Sequence, residues 1–353
     1  MIELEFKALA LEIKKESLLK SIAIIVLNWC GWRDTLACLE SLQKLIAPFS
    51  ITIIVCDNAS SDDSFQQILN WAQQHYSVSE INVFSQETED KGQMRRKLPL
   101  SPAPFPLYPV PFVLIQTGAN LGFAGGNNVG IRYALSQGYE YLWLLNNDTV
   151  VDAHALSTLY EYAVVHPQIT LLGSTVIDFY QTEKVQCAGG CRYFPLWTIF
   201  KPVLGGQSVS AVMQHDETIS LDYVYGAALF LKADAVKKVG LLNEAYFLFY
   251  EELDYAQRLK QQGYEIGWCK KSLVYHKGSA SVGSVKEGNQ EKLRRANYYE
   301  NLSTLKYTAN FYPQLLPLVM ITRFLGKSLA LILRRDFYLF APLFQAYWDF
   351  FKK

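Results

Sequence analysis

Four polar residues, Asn146, Asn147, Asp148 and Thr149, stand at the end of a short apolar run, Tyr141 to Leu145. Such a run reads as a buried strand of a parallel sheet, and in open α/β sheets ligands bind beyond the carboxyl ends of the strands. A carboxylate with two amides there suits a metal-bound, phosphorylated ligand, although the same tetrad also caps a following helix. Far downstream, Glu251, Glu252 and Asp254 crowd into one turn. Acids that close repel one another, which raises the pKa of one of them and suits it to act as a general base near neutral pH; acids at a helix start are also ordinary caps. His276, which ends the apolar stretch Leu273 to Tyr275 and precedes Gly278, is of a metal-ligand type.

The elements that must position these groups follow from the apolar patterning. Continuous β-branched or apolar runs at Ser21 to Leu27, Ile51 to Cys56, Phe112 to Gln116 and Ile169 to Ile177 predict further buried strands. Helical periodicity separates them, as in Leu36, Leu39, Leu42 and Leu45, or Phe65, Ile68, Leu69 and Ala72. The alternation predicts an α/β fold with a doubly wound sheet over the first half and a more mixed second half. Thr117 to Gly130 is rich in Gly and Asn and reads as a bend opening a helix to about Gln137. Its glycines permit close backbone approach, and its helix-start amides can hold an anion, though the spacing is neither GxGxxG nor GxxxxGK[ST]. Gln186 to Gly206 reads as a loop, Tyr223 to Leu231 as a strand, Ala233 to Val239 as a short helix, and a helix follows the acidic cluster to about Gln262.

The 353 residues divide into an amphipathic N-terminal helix (1–20), an α/β unit (21–281) with a proline-rich insertion (85–111), and a helical extension (282–353). Half the residues are hydrophobic and 33 basic residues balance 33 acidic ones, which gives no global attraction to nucleic acid. The six cysteines lack the spacing of a disulfide framework and read as reduced thiols of a cytoplasmic protein. The start of the chain shows no secretory signal pattern. Residues 315–333 are strongly apolar but interrupted by Arg323 and Lys327, and Arg334, Arg335 and an aromatic tail ending in Lys352 and Lys353 follow. That pattern predicts helices lying on the inner face of a membrane, or a helix pair packed on the protein itself or in a dimer.

Six motifs taken together resemble one family. Asn28 after the first strand, CDNASSD (Cys56 to Asp62), NLGFAGGNN (Asn120 to Asn128), LLNNDTV (Leu144 to Val150), YEELD with RLKQQG (Tyr250 to Gly263) and HKGSAS (His276 to Ser281) occur in the order seen in the inverting family 2 glycosyltransferases, notably the rhamnosyltransferase-like bacterial members. The resemblance implies a GT-A fold: a Rossmann-like, doubly wound mixed sheet whose first half binds a nucleotide sugar, of dTDP-rhamnose or UDP-sugar type, and whose second half binds a glycan or lipid-linked acceptor in surface polysaccharide synthesis. It further implies that Asn28, Asp57, Asn58, Gly122, Asn127, Asn146 and Asn147 surround the donor. Asp148 and His276 would hold Mn2+ or Mg2+ on its diphosphate. Glu252 would be the base, supported by Glu251 and Asp254.

This set is chemically coherent, because inverting transfer needs one carboxylate to take a proton from the acceptor and a cation to stabilise the departing diphosphate. Three features depart from the family pattern: Glu252 replaces Asp, Asn146 replaces a carboxylate, and the helix with Tyr298, Tyr299 and Asn301 lacks the Arg of a YYxxRN motif. A sugar nucleotidyltransferase or a non-catalytic glycan-binding protein are the alternatives. Against the first, the segment after the initial strand, NWCGWRD, is not a basic Gly-rich loop.

Overall fold

The computed structural model describes residues 21–85, 111–278 and 290–352. The expected N-terminal helix, nearly all of the proline-rich insertion and the last three residues of HKGSAS lie outside them. In chain order the elements are β1 Ser21–Asn28, α1 Trp32–Leu42, β2 Ser50–Asp57, α2 Ser64–His75, β3 Ile81–Ser85, β4 Phe112–Gln116, α3 Gly122–Ser136, β5 Tyr141–Asn146, β6 Thr149–Val151 and α4 Ala155–Val165. There follow β7 Ile169–Asp178, β8 Val185–Ala188, β9 Gly190–Phe194, β10 Ile199–Pro202, α5 Val209–Val212, β11 Tyr223–Val224, β12 Ala228–Lys232, α6 Ala233–Val239, α7 Glu251–Gln261 and β13 Glu265–His276. Three helices close the described chain: α8 Gln290–Phe311, α9 Leu316–Arg334 and α10 Phe340–Phe351.

The main sheet runs β3-β4-β2-β1-β5-β12-β7-β13-β6, with β8 on β7, and β10-β9-β11 form a second, small sheet. Strands β1 to β5 pair in parallel, whereas β12 is antiparallel to both its neighbours. β1 shows why its sequence is apolar throughout. Ile22, Ile24 and Val26 face a core shared with α1, α2 and α4, and Ala23 and Ile25 face one shared with α3. Both faces are covered, so no polar alternation survives.

Three segments differ from the sequence reading. The Gly- and Asn-rich run is helix from Gly122 onward, because its glycines serve packing. A Cβ on Gly126 would come within 2.4 Å of Leu27, and one on Gly130 within 2.7 Å of Ile25, so α3 lies close on β1. The expected loop Gln186 to Gly206 contains β8, β9 and β10, and the expected strand Tyr223 to Leu231 is broken at Tyr225 to Ala227. The C-terminal helices pack on α8 and on each other, and α9 turns Arg323 and Lys327 inward onto Glu300 at 3.0 and 2.8 Å. Its outer side stays apolar and exposed.

Gly130→Val tests the close approach of α3. Valine would be favoured over glycine by helix propensity, yet overpacking against Ile25 and Cys56 is expected to lower stability by about 1–3 kcal/mol in urea unfolding. An unchanged midpoint would contradict it.

Candidate active site

Parallel pairing sets three strand ends side by side: Asn28 is level with Asp57, and Leu27 with Asn146. Immediately beyond β1 and β2 the chain turns through left-handed residues, Cys30 (φ 50°) and Ala59 (φ 52°). Asn28 and Asp57 are fully buried at this edge. Asn28 Nδ2 donates to Asp57 Oδ1 at 2.7 Å and to Ser60 Oγ at 3.1 Å, and Ser60 donates to Asp57 from both its N–H and its hydroxyl. The two side chains thus hold the turn that shapes the edge and line neither of the cavities described below. Asn127 is likewise buried and donates to Phe123 O within α3.

Asn58, Gly122, Asn146, Asn147 and Asp148 do line a cavity, a narrow slot of about 120 Å³. Its other walls are Trp29, Phe247 and, from α8, Lys292, Arg295 and Tyr299. Phe247 stacks on Tyr299 at 4.4 Å, and the Arg295 guanidinium lies 4.8 Å from the Trp29 ring centre. Flat aromatic walls with cations beside them suit a base and its phosphates. The first amides around the start of α3 are not available to an anion. Leu121 N–H donates to Asn58, Gly122 N–H to Asn120 and Phe123 N–H to the Phe247 carbonyl, which corrects the anion-binding expectation for this loop.

A second cavity of about 430 Å³ adjoins the slot, and both are bounded by Phe123, Asn146, Asp148 and Leu248. Here the groups from distant parts of the chain converge. Antiparallel pairing of β13 with β6 sets His276 level with Thr149 and so beside Asp148. His276 Nε2 lies 3.3 Å from Asp148 Oδ1, both residues being buried. Gln186 of β8 fixes the ring. Its Nε2 donates to the His276 carbonyl at 2.9 Å and faces Asp178 Oδ2 at 3.4 Å, so its Oε1 must be the atom 2.9 Å from His276 Nδ1. Nδ1 therefore carries a proton. Nε2 then faces a carboxylate oxygen, an arrangement satisfied by a proton on Nε2 or by a cation between the two atoms. Among the described residues no three His, Cys, Asp or Glu side chains converge. One carboxylate and one imidazole nevertheless fit a divalent cation whose remaining ligands are substrate phosphates and water.

Across the same cavity stand Glu251 and Glu252, at the first turn of α7. The chain enters that helix through two consecutive left-handed residues, Phe249 (φ 67°) and Tyr250 (φ 73°), a strained entry of the kind found at functional sites. Burial raises the Glu252 carboxyl to about 7, with backbone hydrogen bonding opposing it. Burial first, and then the charge of Glu252, raises Glu251 well above the usual carboxylate range. Oε2 of each lacks a hydrogen-bond partner among the described residues. Glu252 keeps part of its surface open to the cavity, and its Oε1 lies close to Gly226, where an added Cβ would come within 2.9 Å. Asp254 turns elsewhere. It accepts from Arg258 Nε at 2.6 Å, and Arg258 also donates to the Val239 and Leu241 carbonyls, so it fastens α7 to the preceding turn instead of lining the cavity.

Sequence reasoning missed Gln186, Trp29, Phe247 and the α8 face. Lys292, Arg295, Ala296 and Tyr299 follow an i, i+3, i+4, i+7 pattern, which was a legible signal of one helix face. Gln186 carried none, as a glutamine in a short strand.

The profile of the glycosyltransferase-like family 2 matches residues 20–297. The chain is 25% identical to the low-salt glycan biosynthesis hexosyltransferase Agl10 of Haloferax volcanii, over 44% of this chain and 48% of that one. It is 28% identical to the galactofuranosyltransferase GlfT1 of Mycolicibacterium smegmatis, over 48% and 54%. The chain thus spans about half the length of the curated relatives it matches. In fold it is similar to the Pyrobaculum calidifontis mannosyltransferase PcManGT, solved with GDP-Man and Mn2+, with a TM-score of 0.50, 13% identity, and 94% and 86% of the two chains covered. GalNAc-T7, solved with UDP, GalNAc and Mn2+, gives 0.52 and 11%, over 74% of this chain and 44% of that one.

The strained acids have a measurable consequence. A carboxyl raised from an ordinary value near 4.5 to about 7 favours folding only while it stays protonated. The stability it contributes is complete below the unfolded pKa and is lost as pH rises through about 7. Glu252→Gln is expected to melt like the wild type near pH 4.5 and to be more stable by roughly 1–3 kcal/mol at pH 8. Equal melting at both pH values would contradict the burial of an ionisable base.

Proposed function

The chain belongs to glycosyltransferase-like family 2 and has the GT-A fold, and on that premise we propose that it is an inverting, metal-dependent glycosyltransferase. It moves a sugar from a nucleoside diphosphate donor, of dTDP-rhamnose or UDP-sugar type, to a hydroxyl of a glycan or lipid-linked acceptor. The observation that carries this reading is the shared wall between the slot and the larger cavity. A metal-ligand pair, Asp148 and His276, and a carboxylate raised to about 7, Glu252, border one space.

In this reading the slot takes the nucleotide, with Trp29, Phe247 and Tyr299 beside the base and Lys292 and Arg295 as cations near the phosphates. Asn146 and Asn147 lie at the ribose end. Asn28, Asp57 and Asn127 act one layer behind, by holding the strand-end turns and the first turns of α3. Asp148 and His276 would hold Mn2+ or Mg2+, which when bound supplies positive charge to the departing diphosphate. Gln186 keeps His276 Nε2 directed at that position. Glu252 takes the proton of the acceptor hydroxyl. The acceptor oxygen then bonds to the anomeric carbon as the bond from that carbon to the diphosphate oxygen breaks on the opposite face, so configuration inverts. Glu251, kept neutral, avoids placing a second charge beside the base.

A cytoplasmic location at the inner face of the membrane fits the C-terminal region. With the turn before it, α9 forms a helix, Pro313–Arg334, long and apolar enough to cross a bilayer by length and composition. Its inward charges, however, are fastened to Glu300, which suits a helix lying along the surface.

Two outcomes are expected in steady-state transfer assays that follow nucleoside diphosphate release. Glu252→Gln lowers kcat by about 10²–10⁴-fold while donor binding with Mn2+ persists, and Asp148→Asn loses the Mn2+ dependence of donor binding. In the wild type, kcat/KM rises with pH to a plateau above about 7, because the base must be ionised. Wild-type turnover in Glu252→Gln would overturn the assignment, and pyrophosphate as product would favour the nucleotidyltransferase alternative.

A further inference from the structure

We propose that the turn joining β9 to β10 is a second bilayer contact, one that holds the mouth of the acceptor cavity at the headgroup level of an anionic membrane; this rests on the glycosyltransferase reading for the identity of that cavity. The turn, Phe194 to Ile199, carries Leu196 and Trp197 at its tip. Phe194, Leu196, Trp197 and Ile199 are all exposed, Trp197 by 64%. Four exposed apolar side chains on one hairpin tip are more than scattered surface hydrophobics explain. In the strands beneath, Arg192 and Lys201 stand opposite one another; Arg192 is ion-paired with Asp222 at 2.9 Å, and Lys201 is exposed. An apolar, Trp-bearing tip with an exposed lysine at its shoulder matches the boundary between acyl chains and lipid phosphates.

The tip is tied to the buried side of α9, a helix whose outer side is itself apolar. Thr198, held at φ 51°, accepts from Arg323 Nη1 at 2.8 Å, and Arg323 also donates to Asn301 and Glu300. The hairpin and α9 therefore share one buried guanidinium. On α9, Leu318, Ile321, Leu325, Leu329 and Ile332 form an exposed stripe at helical spacing, and exposed Arg334 and Arg335 end it. α10 exposes Phe344, Trp348 and Phe351 in the same way, ending at Lys352.

The occupant can be chosen on charge. A two-fold dimer through these patches would set like cations of the two copies near one another, since an isologous contact pairs a surface with itself. Lipid phosphates complement all of them. The link to function is short, because Phe200 and Pro202 of the same hairpin line the acceptor cavity. A bilayer-held tip brings that cavity to a lipid-linked acceptor.

The test is flotation of the full chain with phosphatidylcholine vesicles containing or lacking phosphatidylglycerol, together with melting in UDP, dTDP or GDP, each with Mn2+. The wild type is expected to float with the anionic vesicles and to have Trp fluorescence quenched by brominated lipid. Trp197→Ser with Ile199→Ser should weaken partitioning by about ten-fold or more, with the nucleotide-induced shift in melting kept as proof of folding. Lys201→Glu, which leaves the apolar tip intact, should weaken binding only to anionic vesicles. Undiminished flotation of the double variant, a wild type that stays in solution, or concentration-dependent dimerisation lost on the same substitutions would overturn the proposal. Vesicle binding without any nucleotide shift would instead count against the glycosyltransferase reading alone.

Discussion

Asp148 Oδ1 and His276 Nε2 face one another at 3.3 Å inside the fold, and much of the architecture serves to keep them there. Burial removes the water that would otherwise solvate them. A proton on Nε2 or a cation between the two atoms satisfies the pair. The sheet enforces it: β13 runs parallel to β7 and antiparallel to β6, so the end of one strand and the start of another meet at one point. Gln186, from the strand beyond β7, removes the remaining freedom of the ring. Such outer partners set both the tautomer and the direction of a ligating histidine.

Opposite this socket the fold bears a cost. Phe249 and Tyr250 hold left-handed backbone angles, and two adjacent carboxyls are desolvated beyond them. The compensation is close at hand. Asp254 and Arg258 clamp the same helix to the turn before it, Ser303 donates to the Leu248 carbonyl, and Thr304 donates to the Tyr250 hydroxyl from α8. The strained entry to α7 is thus braced on both sides by groups that do not reach the cavity, as expected where strain is kept for function. The aromatic contacts of Tyr250 with Tyr193, Phe200 and Tyr307 extend the brace to the small sheet.

Much of the parallel half was legible, because a strand covered on both faces must be apolar along its whole length, and β4 and α6 fall at the expected residues. The hairpin strands β8 to β10 were not, since they are short, partly exposed and broken by glycines whose role is backbone contact. α3 was misread at its start because glycine is a poor helix former in isolation, whereas here the missing side chains admit β1. The polar residues at strand ends were visible as a group, yet sequence could not divide them by task. Asn28 and Asp57 bond to each other behind the cavities, Asp148 and His276 face into one, and only the three-dimensional partners tell these cases apart.

The most direct measurement is pulsed electron paramagnetic resonance of Mn2+ bound with a nucleoside diphosphate. If Asp148 and His276 form the socket, the wild type shows coupling of Mn2+ to an imidazole nitrogen, and His276→Gln abolishes that coupling while the fold persists. Mn2+ bound tightly with no nitrogen coupling in the wild type would contradict the account.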